Sequence, residues 1–168
     1  GFMHLDGYMD VCDAVLSRRE LATRQRILKD SHCGAFAVIG MVLLALCQWS
    51  VFLSGSADES LWGLLLIPVA TRACAGLAVL KLRPMGTSQY AAMGRHGGYA
   101  AALAVLLAAA IAVPLVIDRS FAPLAAAAGY GLAVWYGFRQ LDGMNGDISG
   151  FALTLGELAG AAVWTLVR

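Results

Sequence analysis

The chain has 168 residues, of which 60% are hydrophobic and only 14% are charged, and its formal net charge is +1. Soluble domains carry roughly 45–50% apolar and about 25% charged residues, so this composition excludes an ordinary soluble domain, and it is too apolar for a disordered chain. So small a net charge gives no bulk attraction to nucleic acid, and we expect no nucleic-acid partner. The composition therefore predicts an integral protein of a lipid bilayer.

The first acidic motif lies at the N-terminal end of the chain. Asp6, Asp10 and Asp13 are spaced i, i+4 and i+7, which places all three carboxylates on one face of a helix. Like charges on one helix face repel one another. A divalent cation with oxygen ligands, such as Mg²⁺, would offset this repulsion. A solvated acidic face without a metal is the alternative interpretation.

A second helix is predicted directly after the acidic motif. Ser17 and Glu20 fit the spacing of a capping box, in which the serine caps the helix and the glutamate bonds back to it. The basic residues Arg24, Arg26 and Lys29 then follow. They favour either a membrane-surface helix attracted to anionic headgroups or a clamp for a phosphate group.

Five apolar runs follow, and each is about long enough to cross a bilayer as a helix. They cover residues 35–53, 61–80, 98–117, 121–138 and 151–167. The connecting segments on one side contain nine basic residues, which are Arg18, Arg19, Arg24, Arg26, Lys29, Lys81, Arg83, Arg95 and Arg139. The other side contains only Arg119 and Arg168. The positive-inside rule therefore places the N-terminal segment and the two longer loops in the cytoplasm.

The predicted fold is all-α and polytopic, with about five transmembrane helices preceded by a cytoplasmic acidic helical segment. We divide it into residues 1–34, which carry the acidic and basic motifs, and residues 35–168, which form the transmembrane bundle.

Two charges fall inside the apolar runs, at Arg72 and Glu157. Ionisable groups within a membrane cost roughly 2.5–3.5 kcal/mol on insertion scales and usually face the bundle interior. These two residues either pair with each other or line a polar site. Gly156 and Gly160 form a G-x-x-x-G pattern, which predicts close helix packing beside Glu157.

The loop before the last apolar run is rich in glycine. Gly143, Gly146 and Gly150 let the backbone approach a ligand closely, and Asp147 stands between them as a candidate metal ligand. A flexible turn is the alternative interpretation of this loop.

Three motifs taken together resemble a known family. They are His4-Leu-Asp6-Gly-x-x-Asp10-x-x-Asp13, Leu28-Lys29-Asp30-Ser31-x-x-Gly34-Ala-Phe36, and Gly143-Met-Asn-Gly146-Asp147-x-x-Gly150. In order, spacing and intervening apolar runs they resemble the cobalamin-5′-phosphate synthase family, which comprises adenosylcobinamide-GDP ribazoletransferases. His32 stands where arginine is common in that family. The family has further hydrophobic sequence upstream of the acidic motif, so we expect this chain to be part of a longer protein.

The resemblance implies a reaction and its partners. The enzyme would join adenosylcobinamide-GDP to α-ribazole, or to its 5′-phosphate, and release GMP, with Mg²⁺ as cofactor. It would be a multi-pass protein of the bacterial inner membrane with its active site facing the cytoplasm. Whether it forms a homo-oligomer is left open.

The resemblance also implies roles for particular residues. Metal ligation falls to Asp6, Asp10, Asp13 and Asp147. Catalysis falls to Asp10, Lys29 and Asp13, the last either as a ligand or as the base that takes the hydroxyl proton. Substrate binding falls to Arg26, Lys29, Asp30, Ser31, Arg72, Asn145 and Glu157.

Other classes of protein remain as alternatives. A transporter or channel would use Arg72 and Glu157 on a polar pathway. A CDP-alcohol phosphotransferase has a motif that also begins with Asp-Gly, but the Ala-Arg expected just after it is missing here. An assembly protein would have acids that are merely solvated.

Overall fold

The computed structural model describes residues 2–55, 61–86, 88 and 97–166. Seven helices account for most of these residues. They are α1 (Met3–Leu16), α2 (Leu21–Ile27), α3 (Ala35–Ser54), α4 (Leu61–Lys81), α5 (Gly97–Asp118), α6 (Ala122–Leu141) and α7 (Gly146–Leu166). The prediction of an all-helical fold is confirmed. Arg95 and Arg168, which contribute to the predicted charge asymmetry, lie outside the described residues.

Four helices are long and apolar enough to cross a membrane, namely α3, α4, α5 and α7. They match four of the five predicted spans. Residues 121–138 also form a helix, α6, but α6 is not among the four. Its glycines, its tyrosines and Arg139 dilute its apolar residues, and the contacts described below bury it partly against α7.

The centre of the bundle is α7. Of the apolar stretch of α7, 61% is buried, against 11% of the apolar stretch of α5. Helix α5 therefore presents most of its surface outward, while α7 is surrounded by protein. The predicted close approach at Gly156 and Gly160 is confirmed. A Cβ at Gly156 would lie 2.8 Å from the Ala126 carbonyl oxygen, and one at Gly160 would lie 2.8 Å from the Ala126 Cβ. These two glycines let α6 and α7 pack backbone against backbone.

The acidic helix α1 packs into the same bundle. Tyr8 stacks on Phe151 of α7, with ring centroids 5.7 Å apart, and its hydroxyl donates a hydrogen bond to the Gly40 carbonyl of α3. Val11, which is completely buried, belongs to the hydrophobic core that α1 shares with α3, α6 and α7. Against α3, Asp13 contacts Ala37 while the earlier residue Tyr8 contacts Gly40. Against α7, Gly7 approaches Asp147 while the earlier residue His4 approaches Gly150, so α1 runs antiparallel to both helices. The carboxylates of α1 are thereby fixed beside the first turns of α3 and α7.

The predicted capping box between α1 and α2 is wrong. Ser17 ends α1, and its hydroxyl donates to the Ala14 carbonyl 2.8 Å away. Helix α2 begins after Glu20, whose side chain makes no capping hydrogen bond. A serine can satisfy a carbonyl at a helix end as readily as a backbone N–H at a helix start, and the packing of α1 selects the former.

Candidate functional site

Asp6 and Asp10 of α1 lie beside Asp147 at the first turn of α7, because glycine lets the two backbones touch. A Cβ at Gly7 would lie 2.8 Å from the Cα of Asp147, and one at Gly150 would lie 3.0 Å from the His4 carbonyl oxygen. Glycines on both helices therefore remove the side chains that would hold them apart. Asp6 and Asp10 thus lie at the same end of the bundle as Asp147, which is distant from them in sequence.

A cavity of about 230 Å³ opens beside these acids. Its walls include Asp6 and Asp10 from α1, Ala37 from α3 and residues 30–33 from the segment between α2 and α3. Two predicted substrate-binding residues, Asp30 and Ser31, thus border the same cavity as two predicted metal ligands. We call it the acidic cavity.

The carboxylates crowd one another electrostatically. Burial, together with the charges of Asp6, Asp147 and Asp13, raises the pKa of Asp10 from 3.8 to about 6. Carboxylates that share a site disfavour each other's ionisation in this way. The acidic cavity is therefore a place where added positive charge would be stabilised.

Asp13 is engaged differently from the other two acids of α1. Its Oδ2 accepts a hydrogen bond from the Gly34 N–H at 2.5 Å, and its Oδ1 accepts one from the Ala37 N–H at 3.0 Å. Both bonds satisfy backbone donors that the first turn of α3 would otherwise leave unpaired. A Cβ at Gly34 would lie 2.5 Å from the Asp13 carboxylate, so a side chain at that position would displace the carboxylate from these two bonds. Asp13 thus caps α3 and ties it to α1.

Asn145 caps α7 and orients the candidate ligand Asp147. Its Oδ1 accepts a hydrogen bond from the Ile148 N–H at 2.9 Å, while its Nδ2 donates to Asp147 Oδ2 at 2.7 Å. One asparagine side chain therefore fixes both the start of the helix and the direction of the carboxylate.

The loop that carries Asn145 is itself held by the segment after α4. The Met144 N–H donates a hydrogen bond to the Arg83 carbonyl oxygen at 2.9 Å. The Met144 carbonyl oxygen accepts a hydrogen bond from the Met85 N–H at 2.8 Å. Gly143 has a φ of 154°, and a Cβ there would lie 2.7 Å from the Met85 Cα. Arg83 also forms an ion pair with Asp142 at 2.5 Å. The turn is thus a braced element, which does not fit the alternative of a flexible turn.

Seven predicted site residues do not border the acidic cavity, namely Asp13, Asp147, Asn145, Lys29, Arg26, Arg72 and Glu157. The contacts of the first three are given above. Lys29 is exposed, and Arg26 borders a different cavity with Arg18 and Arg19. Arg72 and Glu157 form an ion pair with each other, and the Thr71 hydroxyl also lies 3.5 Å from Glu157. Glu157 lies ten residues beyond Asp147 on α7, which corresponds to roughly 15 Å along the helix axis.

Two residues that shape the site were not predicted from the sequence to do so. His32 borders the acidic cavity and contacts Asp30, with Nδ1 2.6 Å from Oδ1. That side-chain hydrogen bond lowers the pKa of Asp30. Arg83 braces the turn before α7. No periodicity or spacing marks either residue, although the position of His32 next to the Lys29-Asp30-Ser31 motif was visible.

A metal centre is not preformed in the part of the chain that the structure describes, since no three His, Cys, Asp or Glu side chains are arranged there to hold an ion. Asp6, Asp10 and Asp147 supply the carboxylate oxygens that Mg²⁺ prefers. Asp13 already uses both of its oxygens at α3.

The chain is similar over nearly its whole length to known proteins. A family model described as cobalamin-5-phosphate synthase matches residues 1–165. A relative named adenosylcobinamide-GDP ribazoletransferase from Clostridium perfringens (strain 13 / Type A) is 36% identical over 167 residues, covering 95% of this chain and 66% of the relative. A relative of the same name from Geobacillus kaustophilus (strain HTA426) is 32% identical, covering 99% of this chain and 68% of the relative.

The chain thus spans about two thirds of the length of these curated relatives. No solved structure is significantly similar to it. The match to the family model, the identity to these relatives and the acids gathered at one end of a helical membrane bundle show that the chain belongs to the cobalamin-5-phosphate synthase family.

Proposed function

We propose that the protein containing this chain is an Mg²⁺-dependent transferase that joins adenosylcobinamide-GDP to α-ribazole, or to its 5′-phosphate, and releases GMP. One observation carries the proposal. Acids from α1 and α7 meet beside a cavity at one end of the bundle, in a chain whose relatives are named for this transfer.

The proposed reaction is an in-line exchange at phosphorus. A hydroxyl oxygen of α-ribazole bonds to the phosphorus nearer the corrinoid, the bond from that phosphorus to the bridging oxygen breaks, and GMP leaves with the bridging oxygen. The hydroxyl proton passes to a basic group of the site. Such transfers depend mainly on positioning the reactants and on neutralising charge at the phosphoryl oxygens.

Asp6, Asp10 and Asp147 are the proposed ligands of Mg²⁺. They fit this role because they are hard oxygen donors, and burial together with their mutual repulsion already raises the pKa of Asp10. Side-chain rotation must bring the three carboxylates to one point. When bound, Mg²⁺ would neutralise charge on the diphosphate oxygens. We assign Asp13 to positioning rather than ligation, because it holds the start of α3 against α1.

In our proposal the remaining predicted residues support this centre, most of them from outside the acidic cavity. Ser31 donates a hydrogen bond to a phosphate oxygen from the wall of the acidic cavity, and Lys29 and Arg26 add positive charge toward the diphosphate or GMP. Asn145 keeps Asp147 aimed at the centre. The pair Arg72–Glu157 supports the site from deeper in the bundle.

We propose that the acidic cavity faces the cytoplasm of a bacterial inner membrane. Among the described residues the end of the bundle that carries the cavity has eight basic side chains, which are Arg18, Arg19, Arg24, Arg26, Lys29, Lys81, Arg83 and Arg139. The opposite end has Arg119. This asymmetry agrees with the positive-inside rule.

The test is a transferase assay of the full-length protein in liposomes, with adenosylcobinamide-GDP, α-ribazole and Mg²⁺, measuring GMP release. A bound metal ion supplies several kcal/mol of transition-state stabilisation, so Asp10→Asn and Asp147→Asn should each lower kcat/KM by roughly 100-fold or more. Asp118→Asn removes an acid at the opposite end of the bundle and should retain wild-type activity. Wild-type turnover by Asp10→Asn, or no GMP release by the wild-type protein, would contradict the proposal.

A further inference from the structure

A third cavity at the same end of the bundle, different from the one that Arg26 borders, carries a charge opposite to that of the acidic cavity. Its volume is about 360 Å³, and it lies between the end of α1, helix α2 and the last turns of α6. Arg18, Arg19 and Arg24 border it together with Tyr136 and Gln140. We call it the arginine cavity. It shares no residue with the acidic cavity, and the proposed transfer uses none of the residues that border it.

The three arginines give the arginine cavity an excess of positive charge. No Asp or Glu borders it, and one acid, Glu20, borders the neighbouring cavity that Arg18 and Arg19 also line. Arg18 and Arg19 are exposed, so their guanidinium groups are available to an incoming ligand. Arg24 donates to the Gln140 side chain, and its Nε is buried without a hydrogen-bond partner in the structure. A buried donor left unsatisfied is destabilising, and an anion in the cavity would offer acceptors to this group of donors. Arginine forks match the oxygens of a phosphate group.

The surroundings of the arginine cavity are those of a membrane interface. Tyr136 is 40% exposed, and the adjacent Trp135 is 57% exposed. The Arg139 guanidinium lies 5.3 Å from the centre of the Trp135 ring. Leu16, a further wall residue, is also exposed. Tryptophan and tyrosine concentrate where helices leave the hydrocarbon core, and these two residues lie near the C-terminal end of α6. Phosphate-binding side chains and apolar surface therefore occur together at headgroup depth.

We infer that the arginine cavity binds the phosphate group of an anionic phospholipid, with its acyl chains along the exposed apolar surface of Leu16 and α6. A free phosphate ion would satisfy the arginines but would leave this apolar surface unused. The lipid would hold α2 and the end of α1 against the membrane surface.

The experiment is native mass spectrometry of the full-length protein in detergent, titrated with phosphatidylglycerol or with phosphatidylcholine of the same acyl chains. The variant Arg18→Gln/Arg19→Gln removes the two exposed cations, and Arg139→Gln is the matched control, because it removes a cation of the same interface that does not border the cavity. Each basic residue near an anionic headgroup contributes a factor of roughly five, so the double variant should weaken phosphatidylglycerol binding roughly thirtyfold. The control should stay close to the wild-type affinity.

Two further measurements fix the identity of the ligand. The wild-type protein should prefer phosphatidylglycerol to phosphatidylcholine, and millimolar inorganic phosphate should not displace the bound lipid. The inference is overturned if the double variant binds phosphatidylglycerol as the wild type does, or if the wild type binds both lipids equally. Displacement of the lipid by inorganic phosphate would overturn it as well, in favour of a soluble phosphate. All of these readouts are independent of transferase activity.

Discussion

At the scale of single residues, Asp10 links the acidic cavity to pH. Its pKa is raised from 3.8 to about 6 by burial and by the neighbouring carboxylates. Because the pKa of Asp10 in the folded protein lies above the ordinary value, the ionised carboxylate destabilises the folded protein. This destabilisation is absent below the ordinary pKa. It develops as the pH rises and is complete above the folded-state pKa.

Replacing Asp10 therefore has a pH-dependent effect that can be predicted with its sign. In the absence of divalent cations, Asp10→Asn should melt a few degrees above the wild type at about pH 7.5, and the two proteins should converge at about pH 4. Thermal unfolding in detergent at both pH values measures this difference. Added Mg²⁺ should raise the melting temperature of the wild type and leave that of Asp10→Asn unchanged. An Asp10→Asn protein less stable than the wild type at both pH values would contradict the account.

At the scale of helices, the site depends on the close approach of α1 to α7. Gly7→Ala would place a methyl group 2.8 Å from the Cα of Asp147, so the helices must separate, at a cost of roughly 1–3 kcal/mol. Gly131→Ala on α6 is the matched control, because nothing lies within 4 Å of its Cβ position. Alanine should stabilise that helix by roughly 0.5–1 kcal/mol.

Measurements of stability and of transferase activity for the two glycine variants distinguish an effect on helix packing from an effect on helix propensity. Gly7→Ala should lower both stability and transferase activity while every proposed ligand is still present, and Gly131→Ala should lower neither. Equal behaviour of the two variants would show that the contact between α1 and α7 does not position the site.

The helices themselves follow from the sequence, whereas the hydrogen bonds and ion pairs that cap and brace them do not. The spacing of Asp6, Asp10 and Asp13 predicted the acidic helix, and the apolar runs predicted α3, α4, α5 and α7 within a few residues. The capping of α3 by Asp13 joins residues more than twenty positions apart, and the bracing of the turn before α7 joins Arg83 to Asp142. Such contacts arise only when the helices pack, so local pattern carries no signal for them.

At the scale of the whole molecule, variants of the ion pair Arg72–Glu157 distinguish the proposed enzyme from a transporter. Removing one partner leaves an uncompensated charge within the bundle, whereas removing both does not. Arg72→Leu and Glu157→Leu should each reduce the yield of folded protein in membranes, and the double variant should recover it. Membrane extraction and size-exclusion chromatography measure this yield.

The double variant also addresses function. If the pair supports the bundle and the chemistry occurs at the acidic cavity, the recovered double variant should retain measurable transferase activity. Substrate flux across vesicles that depends on both charges, without release of GMP, would favour a transporter instead.

The proposed function rests on acids far apart in sequence forming one cation site at the end of the bundle. Electron paramagnetic resonance of Mn²⁺, used as a probe for Mg²⁺, tests it on the full-length protein. We expect bound Mn²⁺ in the wild type and in Asp118→Asn, and loss of this signal in both Asp10→Asn of α1 and Asp147→Asn of α7. Retention of bound Mn²⁺ in either of the last two variants would contradict the claim.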